Sequence, residues 1–302
     1  MKFTRKMKKL FIASAILAAI GVLLCIFGVA IAAKNGEQIF SQSQNEQGQY
    51  IYMYEFDASM IKKISLELTY ADVNLYKSGD VGRIEMINYP LDKFGMTVGA
   101  TTLSVKEKSA LGSLFSLNFD GLRNYFNSAK MATKSRTVNI YLPDEVALKL
   151  LEVELFSGDV RLEQLRAETD FEIDLKYGSV VMNDIISTGS FSVRIAEGNL
   201  NVENSVMSAG SSELEYGYME ITTSDITEID ANITKGYFKY ESAGTDLLSS
   251  VVRLKTDDGR VRFGDDIYEN GSFSQGIEYT GASGVVQNMI NVNVGEGNIM
   301  VR

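Results

Sequence analysis

The chain has 302 residues and a formal net charge of −10, with 26 glycines, two prolines, one cysteine, and neither histidine nor tryptophan. Without histidine there is no Ser-His or Cys-His nucleophile pair and no His-ligated zinc, and one cysteine permits neither an intrachain disulfide nor a Cys-rich metal site, so no metal or cofactor is expected. Lys2, Arg5, Lys6, Lys8 and Lys9 stand in an acid-free N-terminal stretch; the rest of the chain holds 24 basic against 39 acidic residues, a balance that repels phosphate backbones and excludes nucleic acid as a partner.

Residues 1–9 read as a basic cytoplasmic tail. "LFIASAILAAIGVLLCIFGVAIAA" (Leu10–Ala33) then runs 24 residues without a charge, where ~20 residues at ~1.5 Å rise suffice to cross the hydrocarbon of a membrane. It is predicted to be a single transmembrane helix at 10–33, with the N-terminus in the cytoplasm and the remainder outside. The competing reading is a cleaved signal peptide, whose apolar core would run only ~7–15 residues. Cys25 follows the large Leu24, which suits a membrane-buried thiol better than a lipidation site. Residues 34–49 are polar and read as a tether.

From residue 50 to 302 a glycine flanked by alternating apolar residues keeps returning. "LFSGDVRL" (155–162), "LKYGSVVM" (175–182), "IAEGNLNV" (195–202) and "VGEGNIMVR" (294–302) share one phase. Aligned on Gly158, Gly178, Gly198, Gly217, Gly236, Gly259 and Gly297, the steps are 20, 20, 19, 19, 23 and 38, the last read as two turns of 19, and an earlier copy carries Ala71 in the glycine position. Three residues before the glycine stand Leu155, Leu175, Ile195 and Leu214; two after it stand Val160, Val180, Leu200 and Met219. Period-2 spacing on each side predicts two strands separated by a turn. A repeat of this size cannot bury one apolar face alone and must stack on its neighbours, which predicts an all-β, parallel β-solenoid of about ten to twelve coils at ~4.8 Å per coil. An antiparallel sandwich or propeller is the alternative, but hairpins do not usually hold one phase around a single glycine. The last strand, "NIMVR", is expected to leave an open end.

The segment 109–131 interrupts the pattern with Leu111, Phe115, Phe119, Leu122 and Phe126 at helical spacing. It reads either as a helical insertion packed on the solenoid or as a patch that meets a membrane or a partner.

Two groups of side chains are candidates for function. Asp257, Asp258, Asp265 and Asp266 could approach one turn edge and hold Ca²⁺, but they lack the spaced ladder of a repeat calcium site and read better as solvated turn acids. Tyr70, Tyr177 and Tyr216 precede the turn position, and Tyr218 and Tyr237 follow it. Tyr177, Tyr216, Tyr218 and Tyr237 are therefore the candidate ligand-binding residues, with Tyr216, Tyr218 and Tyr237 expected close together at one corner. They would serve either as a face for sugars or partner side chains, or as a cross-strand ladder that only stabilises the sheet.

"VNIYLP" (138–143), the phased "FSGDVRL", "KYGSVVM" and "AEGNLNV", and the closing "VGEGNIMV" resemble the putative adhesin family of bacterial proteins over roughly residues 50–302. The resemblance implies a single-stranded, right-handed β-helix outside a bacterial membrane, linked to the cell envelope and to envelope-stress operons. It brings no catalytic residues. The expected function is a membrane-anchored binding or scaffold module whose partner is a cell-wall glycan or another envelope protein. A structural protein self-associating through its solenoid ends is the alternative. A polysaccharide-acting enzyme is the weakest reading, because coils of this length leave little loop to wall a groove.

Overall fold

Alternation of polar and apolar side chains turns this sequence into strands with one buried face. In Asp170–Tyr177 the outward Glu172, Asp174 and Lys176 alternate with buried Phe171, Ile173 and Leu175. The structure, a computed structural model, describes residues 41–44, 49–77, 79, 81–89, 94–107, 136–143, 146, 148–243, 250–269, 277–278 and 288–302. The predicted membrane helix at 10–33 and the predicted helical insertion at 109–131 lie outside the described residues. Among the described residues no helix is long and apolar enough to cross a membrane. Ser41–Gln44, in the stretch read as a polar tether, is a strand paired antiparallel with Tyr50–Met53.

Among the described residues Ser41–Arg302 is all-β, and its strands join one sheet. Like positions of the repeat pair in parallel: Val160 with Val180, Val180 with Leu200, and Leu200 with Met219. Each layer can be named by its corner residue. The first is made of Thr102–Glu107 and Thr137–Leu142, followed by the Ala71 coil, Lys63–Tyr70 and Asp72–Lys77. The Gly158 coil (Leu150–Ser157 and Val160–Glu163), the Gly178 coil (Asp170–Tyr177 and Val180–Asn183) and the Gly198 coil (Ile186–Glu203) come next. The Gly217 and Gly236 coils both lie in Val206–Ser242. Then come the Gly297 coil (Met289–Val301) and, outermost, the Gly259 coil (Val251–Asp258 and Arg260–Phe263).

Spatial order thus departs from chain order at both ends of the stack. The expected open end at "NIMVR" is corrected here: the Gly297 coil pairs with the Gly236 coil on one side and the Gly259 coil on the other. The step of 38 is likewise not two stacked coils. Asp266–Glu269 and Ile277–Glu278 from this interval run antiparallel to Arg260–Phe263 and Val251–Val252. At the opposite end Phe94–Val98 and Gly82–Ile87 run antiparallel to Thr102–Glu107 and Thr137–Leu142. A parallel layer with nothing beyond it offers a row of unpaired backbone groups, and these reversals pair Arg260–Phe263, Val251–Val252, Leu103–Glu107 and Thr137–Tyr141 of the outer layers.

The recurring glycine follows from backbone contact between coils. At Gly217 φ is +147°, and a Cβ would lie 1.6 Å from the carbonyl oxygen of Gly198. The same collision repeats at every corner glycine from Gly158 to Gly259, so a side chain is excluded by both dihedral and space. Ala71 is not among the positive-φ residues, and on either side of it Thr69 N–H donates to Glu107 Oε2 (2.7 Å) and Asp72 N–H donates to the Arg136 carbonyl (2.9 Å).

A second corner lies six residues further on, where Gln164, Asp184, Asn204 and Thr223 take φ between 50° and 57°. Buried hydroxyls secure it: Ser205 Oγ accepts from Ile185 N–H (3.1 Å), and Ser224 Oγ accepts from Ser205 N–H (3.0 Å). The change of step from 20 to 19 falls at a register shift between Ser187 and Ser190, away from the glycine corner. Interior columns are filled mainly with Leu, Ile, Val and Phe, with a few polar members. Thr256 Oγ1 donates to the Gly297 carbonyl (3.0 Å), and Ser212 Oγ contacts Met219 Sδ (3.0 Å).

Beside Ala71, Tyr89 is fully buried, edge-on to Phe94 at 5.9 Å, with its hydroxyl donating to the Tyr70 carbonyl (3.4 Å). Burial, reinforced by the Glu107 carboxylate and opposed by Arg136, pushes this phenol far above its ordinary pKa of 10.0. The folded state therefore holds the proton more tightly. Its contribution is fully present below pH 10.0 and is lost as pH climbs above it toward the raised value. Denaturant midpoints measured up the alkaline range should fall from about pH 10, and Tyr89→Phe should make that fall shallower.

Candidate ligand-binding corner

At the glycine corner the chain turns, so the residues before and after the glycine face outward on its two sides. The side after the glycine is set by a ladder of short polar residues. Asp72 Oδ1 accepts from Asp159 N–H (3.1 Å), Asp159 Oδ1 from Ser179 N–H (2.8 Å), and Asn199 Oδ1 from Tyr218 N–H (3.2 Å). This explains the Asp or Asn that follows glycine in "SGDV" and "EGNL": each carboxyl or amide oxygen satisfies an N–H of the next coil that the turn leaves unpaired.

On this side Tyr218 and Tyr237 stack with centroids 4.9 Å apart and planes inclined by 5°. Burial, followed by the Glu220 carboxylate, raises the Tyr237 phenol above its ordinary value, and the Lys239 ammonium opposes this. Lys239 is bonded to Glu220 (2.5 Å) and lies 3.1 Å from Glu241. Tyr216 is 53% exposed and stands before Gly217, on the other side of the corner, with Glu197 opposite it in the preceding layer. Among the described residues no ring contact joins it to Tyr218 or Tyr237, so the expected three-tyrosine grouping divides into a stacked pair and a separate ring.

Tyr177 belongs to a different group. Phe156 lies edge-on to Tyr70 (5.6 Å, 70°) and to Tyr177 (5.5 Å, 66°). The Lys176 ammonium sits 5.1 Å from the Phe156 centroid and 5.7 Å from that of Tyr177. Ser157 is the register partner of both tyrosines, and its small side chain separates them where Phe156 intervenes. The sequence reading missed Phe156. The signal was there: it is an aromatic residue at an outward position, two before the glycine, where the next coil has Lys176 and the following one Ala196.

On the neighbouring outward column Glu67, Glu154 and Asp174 stand in successive layers. Lys106 bonds Glu67 at one end (2.6 Å) and Arg194 bonds Asp174 at the other (3.0 Å). The four candidate turn acids do not converge on an ion site: Asp257 pairs with Lys255 at 3.0 Å and Asp265 lies 3.9 Å from Arg262. Among the described residues no group of three or more acidic, His or Cys side chains is placed to hold a metal.

Solved structures similar to this chain include a putative cell adhesion protein from Clostridium sporogenes ATCC 15579, 15% identical over 83% of this chain and 97% of that one, with a TM-score of 0.37. A putative adhesin from Bacteroides fragilis NCTC 9343 is 13% identical over 83% and 97%, with a TM-score of 0.41. A putative lipid binding protein from Parabacteroides distasonis ATCC 8503 is 13% identical over 83% and 96%, with a TM-score of 0.34. No curated protein matches the chain. The Toastrack DUF4097 family model matches residues 61–264, from the start of the Ala71 coil to just beyond the Gly259 corner. By that match the chain belongs to the Toastrack DUF4097 family.

Proposed function

We propose that the chain is an adhesin-like binding and scaffold module of the bacterial cell envelope. In this reading the helix at 10–33 anchors it in the membrane, the N-terminal basic tail lies in the cytoplasm, and a right-handed β-solenoid stands outside. A link to the envelope stress response belongs to the same reading. The observation that carries it is the corner itself: backbone-locked coils hold outward aromatic side chains, Tyr177, Tyr216, Tyr218 and Tyr237 among them, at fixed layer spacing. A rigid surface binds without the cost of ordering its own residues. The partner would be a cell-wall glycan or another envelope protein.

Self-association through the solenoid ends is the less favoured reading, because antiparallel strands cover part of the outer layer at each end. Protease added to intact spheroplasts tests the location. Digestion of the 50–302 body with retention of a membrane-protected N-terminal fragment is expected. A body protected until the membrane is lysed would refute the proposal.

A further inference from the structure

We infer that Tyr70, Phe156, Tyr177 and Lys176 form a carbohydrate-binding ridge that takes an extended, uncharged glycan. This rests on the binding-module reading and gives it a site and a ligand class.

The three rings are 54%, 41% and 36% exposed, an unusual outlay for large apolar side chains on one ridge. They pack edge-to-face, with planes inclined by 70° and 66°, and the Lys176 ammonium lies over the Phe156 and Tyr177 rings, 5.1 and 5.7 Å from their centroids. Tyr218 and Tyr237 are instead stacked nearly coplanar. The ridge is also held from behind. The Tyr70 carbonyl accepts from the buried Tyr89 hydroxyl, and the N–H of the adjacent Thr69 donates to Glu107. Tyr177 and Tyr70 share Ser157 as parallel register partner, so the ring spacing is set by the backbone ladder.

The chemistry around the rings selects the ligand. Glu154 and Asp174, register partners of each other, lie two residues before Phe156 and Lys176 on the same outward face. Glu197 is the partner of Tyr177 in the next layer. The centre of the patch is therefore aromatic and its margin carries carboxylates and an ammonium, with no aliphatic side chain among these positions. A sugar ring fits this pattern: its C–H face packs on an aromatic face while its equatorial hydroxyls reach the charged margin. An aliphatic protein surface or an acyl chain would leave Glu154, Asp174 and Lys176 facing apolar groups. The carboxylates at the margin and the net charge of −10 repel a polyanion, so the glycan is uncharged. Ring centroids 5.6 and 5.5 Å apart succeed one another along the stack at about the length of one sugar unit in an extended chain.

The test is titration calorimetry on the full chain in detergent micelles, with chitohexaose and cellohexaose as neutral probes and polygalacturonate as the anionic one. Saturable binding of at least one neutral hexasaccharide is expected. Phe156→Ala and Tyr177→Ala should each weaken it about tenfold, in line with the loss of one aromatic contact. Phe156→Tyr should retain it, and Ile267→Ala, at an exposed apolar residue away from the ridge, should leave it unchanged. The melting temperature of each variant separates lost binding from lost folding. Absence of binding to both neutral probes overturns the inference, as does preference for polygalacturonate or binding that the ridge variants leave intact. A failed titration with a protease-accessible body removes the ridge alone. A protected body removes the envelope reading whatever the sugar result.

Discussion

Gly217→Ala is expected to destabilise the domain by about 4 kcal/mol or more, beyond the ordinary range for one substitution. The new Cβ would lie 1.6 Å from the Gly198 carbonyl oxygen and 2.8 Å from its carbon. Neither atom can yield cheaply, because both belong to a coil held in parallel register with the Gly217 coil from Ser190 to Glu203. The φ of +147° adds strain of its own. Gly264 is the control: its φ is +58°, yet a Cβ added there would meet nothing within 4 Å, so Gly264→Ala should cost only about 1–2 kcal/mol for the left-handed backbone. Thermal or denaturant unfolding of both variants makes the comparison. Equal losses would show that dihedral preference alone accounts for the glycine column.

The second large effect is expected at the buried pair of Glu107 and Arg136. Arg136 Nη1 donates to Glu107 Oε1 at 3.0 Å, with side chains only 9% and 14% exposed. The guanidinium also lies 5.4 Å from the Tyr89 ring centroid. Glu107→Leu would leave the cation buried without its partner and Thr69 N–H without its acceptor, a loss of about 3–5 kcal/mol. Glu107→Leu combined with Arg136→Met removes both charges, and the pair should recover most of that loss. Unfolding midpoints of the two singles and the double close the cycle. A double variant as unstable as the sum of the singles would mean that the charges do not act as a pair.

The parallel stack was legible in the sequence because its cause is local and repeats at one atom: a Cβ cannot exist where one coil's backbone touches the next. The order of the layers was not legible. Columns of like residues say which positions align, but the Ala71, Gly297 and Gly259 coils fit any neighbour equally well by pattern. The second corner escaped for another reason. Gln164, Asp184, Asn204 and Thr223 share a backbone conformation but no residue type, so only their constant offset from the glycine marks them. At the candidate site, position was legible and contact was not. Tyr216 and Tyr218 are only two residues apart, yet the turn at Gly217 sends them to opposite sides, while Phe156 meets Tyr70 from a distant part of the chain.

The exchange of layers at the distal end has a consequence for biosynthesis. The Gly259 coil leaves the ribosome before the Gly297 coil, but its parallel seat on the stack is the Gly297 coil, not the Gly236 coil that precedes it in the chain. At ~5–20 residues per second it must wait roughly 2–8 s for that seat to be made. During the wait the nascent chain carries two unsatisfied strand edges, one on the Gly236 coil and one on the Gly259 segment, and direct pairing of these two would trap the wrong order. The antiparallel return of Asp266–Glu269 onto Arg260–Phe263 is available throughout the wait, since it needs only residues already synthesised. It occupies the outer edge of the Gly259 segment and leaves the inner edge free for the strand still to come.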